Sequence, residues 1–137
     1  MTRRFGIDTS ILVRLLTGDP EEGFRQCVAA LTALVQGGAE VFASNQVVGE
    51  AYAAVQHHYG VSKGEARTAL TDVLKSGIVS PLNGASVLAS LEAEGGCGLL
   101  DRLIADDYRR ADRFTLTLDE RMAKLPAALP LQQRSPV

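Results

Sequence analysis

The stretch Phe5-Gly6-Ile7-Asp8-Thr9-Ser10-Ile11-Leu12-Val13-Arg14-Leu15-Leu16 decides the fold. A short apolar run ends on a carboxylate, two hydroxyl residues suited to capping follow, and apolar residues then recur at helical spacing. This predicts a strand that ends in an acid and turns directly into a helix capped by Thr9-Ser10.

The same grammar repeats along the chain. Asp19-Pro20-Glu21-Glu22 predicts an N-cap at Asp19, a Pro at the first helical position and a Glu at the third. That helix carries Phe24, Cys27, Val28, Leu31, Leu34 and Val35 on one face and stops at Gly37-Gly38. Val41-Phe42-Ala43 reads as a second strand. Ser44 then caps a helix running through Val47, Val48, Ala51, Ala54, Val55 and His58 to Gly60, with His58 on its apolar face. Ser62 and Glu65 form a capping box for a helix ending near Gly77. Ile78-Val79 is expected as a third strand, followed by an Ala-rich helix from about Ala85 to Glu94. A helix from Leu99 to about Ala111, a strand from Phe114 to Leu118, a short helix from Asp119 to Leu125 and an edge strand at Leu129-Pro130-Leu131 complete the pattern.

Strands alternating with helices predict an α/β fold. The expected form is a single-domain three-layer sandwich with a mostly parallel central sheet of about four to five strands flanked by helices. At 137 residues the chain is one domain, read as 1–131 with a disordered tail at 132–137. A domain of this size buries roughly 68% of its unfolded surface and needs no disulfide or structural metal. With no Trp, its core must come from Leu, Val, Ile and Ala.

The net charge of −2 is a poor match to a protein that coats nucleic acid through bulk positive charge and no obstacle to a nuclease with a local basic rim, so it decides little. Cys27 and Cys97 stand far apart with no CxxC or Cys–His cluster, which excludes a zinc ribbon and points to a reducing compartment. Cys97, in Gly95-Gly96-Cys97-Gly98, reads as a small residue in a turn rather than a nucleophile, because no His is placed to activate it. Asp8 and Arg14 interrupt the apolar opening and no small-x-small cleavage site follows, so a cytoplasmic location is expected. No run of 18 uncharged apolar residues predicts a membrane span.

Four acids stand against apolar backgrounds at element ends or on helices: Asp8, Glu50, Asp101 and Asp119. In parallel sheets the ligand site lies beyond the carboxyl ends of the strands. Asp8 and Asp119 both fall there, and Ser44 starts the helix that carries Glu50. Converging carboxylates repel one another unless a cation sits among them, and hard oxygen ligands suit Mg²⁺ or Mn²⁺. Each acid also has a plainer reading: Asp8 as a helix-start residue, Glu50 as a solvated helix residue, Asp101 as a first-turn acid favoured by the helix dipole, Asp119 as a cap.

The set Ile7-Asp8-Thr9-Ser10, Glu50 within a helix, Asp101-Arg102-Leu103-Ile104-Ala105 and Thr117-Leu118-Asp119 resembles the PIN-domain ribonucleases, and among them the VapC-type toxins. The likeness extends from Gly6 to about Leu125. It implies a metal-dependent endoribonuclease acting on RNA with Mg²⁺ or Mn²⁺, a homodimer, and inhibition by a cognate antitoxin protein. It further implies that Asp8, Glu50, Asp101 and Asp119 hold the ion, with Thr9, Ser10 and Thr117 as supporting hydroxyls. Asp106 and Asp107 are expected to be structural, and His57 and His58 non-catalytic. Tyr52 and Tyr59 read as core or groove wall. The basic cluster Arg109, Arg110 and Arg113 reads either as a solvated helix end or as an RNA-phosphate contact.

Two other classes compete. A haloacid-dehalogenase-type phosphatase also begins with a strand ending in Asp, but it wants a second acid where Ser10 stands. A receiver-like phospho-acceptor lacks its acidic pair and late Lys here. The non-enzymatic alternative is a PIN-like module that binds RNA or protein without cleaving.

Overall fold

The computed structural model describes residues 2–131; the tail expected to be disordered lies outside them. In chain order its elements are β1 (Arg4–Gly6), α1 (Thr9–Thr17), α2 (Glu21–Gln36), β2 (Glu40–Ala43), α3 (Asn45–Tyr59), α4 (Lys63–Leu74), β3 (Ser80–Pro81), α5 (Ala85–Glu92), α6 (Leu99–Arg110), β4 (Thr115–Thr117), a 3₁₀ turn (Met122–Lys124) and β5 (Ala128–Pro130). The expected mixed α/β fold is thus observed, with six helices and every strand pair parallel.

The five strands divide into two sheets, β1-β2-β3 and β4-β5. Helix α6, which lies between β3 and β4 in the chain, packs on α3. Asn45, at the start of α3, donates to the carbonyl of Leu103 and to Asp106 near the end of α6, while Gly49 meets Leu100 one turn earlier on α6. The two helices therefore run antiparallel. A Cβ on Gly49 would stand 3.1 Å from Leu100 Cδ2, so the glycine sets how closely they approach.

Alternation along the strands fixes the core. Ile7, Val41 and Ala43 point inward against Leu12, Val48, Leu70 and Leu99. On the other side Arg4, Gly6, Glu40 and Phe42 border an open hollow of ≈ 770 Å³. A second, small core of Cys97, Ala105 and Met122 ties the C-terminal segment to α6.

Several local expectations shift. The cap of α1 is Asp8 itself, which accepts from Ile11 N at 3.2 Å; Thr9 and Ser10 lie inside the helix. Pro20 rather than Asp19 occupies the cap of α2, which starts at Glu21 with no side-chain cap. The third strand is Ser80–Pro81, not Ile78-Val79: the turn after α4 runs through Gly77 at φ +87°, and the pairing with Phe42 and Ala43 begins only at Ser80. The closing helix shrinks to the 3₁₀ turn because Pro126 disfavours helical backbone at Leu125. His58 is exposed with His57 and Tyr59, since α3 outruns its packing neighbours after Val55, whereas Tyr52 is buried as core. The capping box of Ser62 and Glu65 is present as expected.

Arg67 on α4 donates to the carbonyls of Ser90, Leu91 and Ala93, closing the C-terminal end of α5. Arg67→Ala leaves these carbonyls without their charged donor. It is expected to lower stability by about 2 kcal/mol, read from urea denaturation, with Arg67→Lys between the two.

Candidate active site

Asp8 and Glu50 meet at the carboxyl end of β1. Asp8 lies two residues past the strand, where the chain turns into α1. Glu50 stands on α3, which begins at the end of the neighbouring strand β2. Thr9 Oγ1 donates to Glu50 Oε2 at 2.5 Å, and Ser10 Oγ donates to Asp8 Oδ1 at 2.6 Å. Gln46 Nε2 adds a 3.1 Å bond to Glu50 Oε1, the i,i+4 partner on the same helix face. The hydroxyl of Ser10, then the amide of Ile11, hold the exposed Asp8 carboxyl below its ordinary pKa. For Glu50, also exposed, Thr9 and then Gln46 do the same. Both groups are therefore ionised at neutral pH, and both present hard oxygen donors to solvent.

The other two acids stand apart from this pair. Asp101, in the first turn of α6, faces a hollow of ≈ 430 Å³ shared with Tyr52, Gln56, His57 and Lys63. Glu50 borders the adjoining hollow, which shares Ala53 and Leu100 with it. Asp119, two residues past β4, accepts from Met122 N at 2.7 Å and caps the 3₁₀ turn, while its own N–H is held by Thr117 Oγ1 at 3.0 Å. Among the described residues no group of three or more His, Cys, Asp or Glu is placed to share one ion.

Asp106 is buried and accepts from Asn45 Nδ2 at 2.8 Å and Asn83 Nδ2 at 3.0 Å, the structural role expected of it. Asn83 also donates to the exposed Asp107, at 2.8 Å. This clamp ties the end of α6 to the ends of β2 and β3. Neither asparagine stood out in the sequence, where a lone Asn carries no pattern. Gln46 was recoverable from its spacing to Glu50.

Arg113 turns back on its own helix end, donating to the carbonyls of Ala111 and Asp112. Arg109 and Arg110 are exposed in the last turn of α6, and Arg109 faces Asp106 across a hollow that also holds Arg102. No helix among the described residues is long and apolar enough to cross a membrane.

Compared with known proteins, no curated protein and no solved structure gives a significant match. The family model of the PIN domain matches residues 6–128. PIN domains are in general nucleases, hydrolases acting on nucleic acid, and generally use divalent metal ions. With most of its length under that match, from the strand that delivers Asp8 to the strand that follows Asp119, the chain belongs to the PIN-domain family.

Proposed function

We propose that this chain is a divalent-metal-dependent endoribonuclease and the toxin of a toxin–antitoxin pair. The observation that carries the reading is the Asp8–Glu50 pair, whose oxygens are kept ionised by Thr9, Ser10 and Gln46 at the carboxyl ends of parallel strands. The donor chemistry fits Mg²⁺ or Mn²⁺: all ligands are oxygens, with neither thiolate nor imidazole among them. Asp8 and Asp101 serve as primary ligands, Glu50 as a ligand or as the base that orients water, and Asp119 as an outer or second-ion ligand. A bound ion lowers the pKa of its water and neutralises charge on the phosphate. The chain's own residues fix the geometry: Thr9 aims Glu50, Ser10 aims Asp8, and Thr117 holds the backbone that presents Asp119. Arg109 and Arg110 supply phosphate contacts beside an otherwise acidic site.

The partners that follow are RNA, a second copy of the chain, and an antitoxin that inserts an Arg or Lys among the carboxylates. Purified protein with Mg²⁺ should cut internally labelled single-stranded RNA at interior sites, and the antitoxin should suppress cutting. RNA left intact under every metal tested would overturn the nuclease reading.

One observation favours a second reading. The four acids do not close on one another within a single chain, as a module that binds without cleaving would allow. RNA retention in a gel shift without cleavage would select it.

A further inference from the structure

The hollow of ≈ 430 Å³ that Asp101 faces adjoins the Glu50 hollow through Ala53 and Leu100. Local sequence builds its far rim. Helix α3 ends at Gly60, in the left-handed region at φ +67°, and Ser62 caps α4 two residues later. The chain therefore doubles back, and Lys63, the first residue of α4, borders the same hollow as His57 in the last turn of α3. Both are exposed, and Lys63 makes no ion pair among the described residues. The opposite rim is the start of α6. Its cap residue is Gly98, which has no side chain to hold the first N–H groups of the helix, so they remain for a ligand.

Inside, Ala53, Leu99 and Leu100 form apolar walls, broken by two polar groups. Gln56 Nε2 donates to Tyr52 O at 3.0 Å, which fixes the amide and leaves its Oε1 and second N–H unused. Tyr52 is only 6% exposed, and it borders this hollow. Its hydroxyl has no partner among the described residues and is not sealed from solvent. A phenol so far buried ordinarily has a partner, and the hollow is where a ligand can supply one.

We propose that this hollow is the subsite for one unpaired nucleotide of an RNA strand, its base edge bonded to Gln56 and Tyr52 and its phosphate held by Lys63.

The chemistry of the lining selects that occupant. The volume falls within the ~300–1,000 Å³ of sites that take small ligands or parts of larger ones. Unpaired RNA is recognised by splaying a base out of the strand and bonding its edge, which needs flat apolar walls with a few fixed donors and acceptors. A phosphate needs a cation or open N–H groups, and these stand at the rim. Lys63 is the one cationic side chain bordering either hollow among the described residues. It therefore offsets the repulsion that Glu50, Asp101 and Asp107 exert on an approaching strand. His57 adds a donor at the same rim, a binding role that leaves it outside the chemistry. The shared wall of Ala53 and Leu100 makes the next stretch of the strand pass Glu50. The subsite's place beside the bond that is cut rests on the nuclease reading above.

The test separates binding from cleavage. In chelator and low salt, where the metal plays no part, anisotropy of a short labelled single-stranded RNA reads the affinity of the full-length protein. Lys63→Ala should weaken binding about tenfold and lower the salt slope by about one, as loss of one phosphate contact does. Lys75→Ala, which removes an exposed lysine paired with Glu92 elsewhere on α4, should bind as wild type. Removing a single base from the RNA, walked along the strand, should cost wild type about tenfold at one position. Gln56→Leu and Tyr52→Phe, each melting near wild type, should lose that dependence. A wild type that does not bind, or Lys63→Ala and Gln56→Leu proteins that bind as wild type does, would overturn the proposal. With Mg²⁺, Lys63→Ala should raise KM and leave kcat nearly unchanged. If wild type cuts RNA and these variants cut the same sites with the same kcat/KM, the subsite falls and the nuclease reading stands. If the binding dependences hold but no metal gives cleavage, the subsite stands and the nuclease reading falls.

Discussion

Replacing Asp8 by Asn is expected to slow RNA cleavage by at least about 100-fold while leaving the melting temperature within a few degrees of wild type. The two halves of this expectation have different causes. Asp8 caps α1 through its bond to Ile11 N, and Asn is as good a cap as Asp, so the amide oxygen keeps that bond and still accepts from Ser10. What disappears is the negative charge, the property a cation needs. A large loss of rate with an intact fold therefore separates a metal ligand from a helix-start residue. Asp101→Asn is expected to lose activity to a similar degree, and Asp106→Asn to lose little at temperatures where the fold holds. Single-turnover cleavage of labelled RNA reads all three. If Asp106→Asn is slower than Asp101→Asn, the assignment along α6 is wrong by about one turn.

The second large effect is on stability. Asp106→Ala should cost about 3 kcal/mol in urea denaturation at neutral pH, because it leaves the amides of Asn45 and Asn83 without their shared acceptor at a buried junction. Burial by itself pushes the Asp106 carboxyl up, but hydrogen bonds from Ser86, Asn83 and Asn45 and the charge of Arg109 outweigh it and hold the pKa below the ordinary value. A carboxyl depressed in the folded state contributes stability above the unfolded pKa of ~3.9 and loses it as pH falls through the folded value. The gap between wild type and Asp106→Ala should accordingly narrow in acid. An equal gap at pH 7 and below pH 3 would show that the charge contributes nothing.

Much of this arrangement was legible beforehand, for physical reasons. The helix starts at Ser44 and Ser62 were readable because capping is local: a hydroxyl at one position and its N–H partner three residues on suffice. At Asp8 the same local signal was read one residue late, with Thr9-Ser10 taken as the cap that Asp8 itself supplies. The short apolar runs Phe5-Gly6-Ile7 and Val41-Phe42-Ala43 read as strands, and their alternation with helices read as parallel pairing, because a helix between two strands returns the chain to the same edge. The division of the five strands was not legible. The helix that precedes β4, α6, is held on α3 by hydrogen bonds from Asn45 to Leu103 and Asp106, 58 and 61 positions away. No periodicity encodes such a contact. The site divides along the same line. Thr9 and Glu50, 41 residues apart, meet because adjacent parallel strands deliver them to one edge. Asp101 and Asp119 ride on the segment whose placement long-range packing decides.

We propose that Asp8, Glu50, Asp101 and Asp119 together serve the cation centre, whether it takes one ion or two, and Mn²⁺ binding tests this without substrate. Melting temperatures would be compared for wild type, the Asp8→Asn, Glu50→Gln, Asp101→Asn and Asp119→Asn variants, and the exposed control Glu21→Gln, each in chelator and in Mn²⁺. At ~100 times its dissociation constant the ion should stabilise wild type and the control by about 2.7 kcal/mol, because it binds only the folded state. Each of the four site variants should respond weakly or not at all. A wild type that melts at the same temperature with and without Mn²⁺, or site variants that respond as fully as the control, would contradict the shared site.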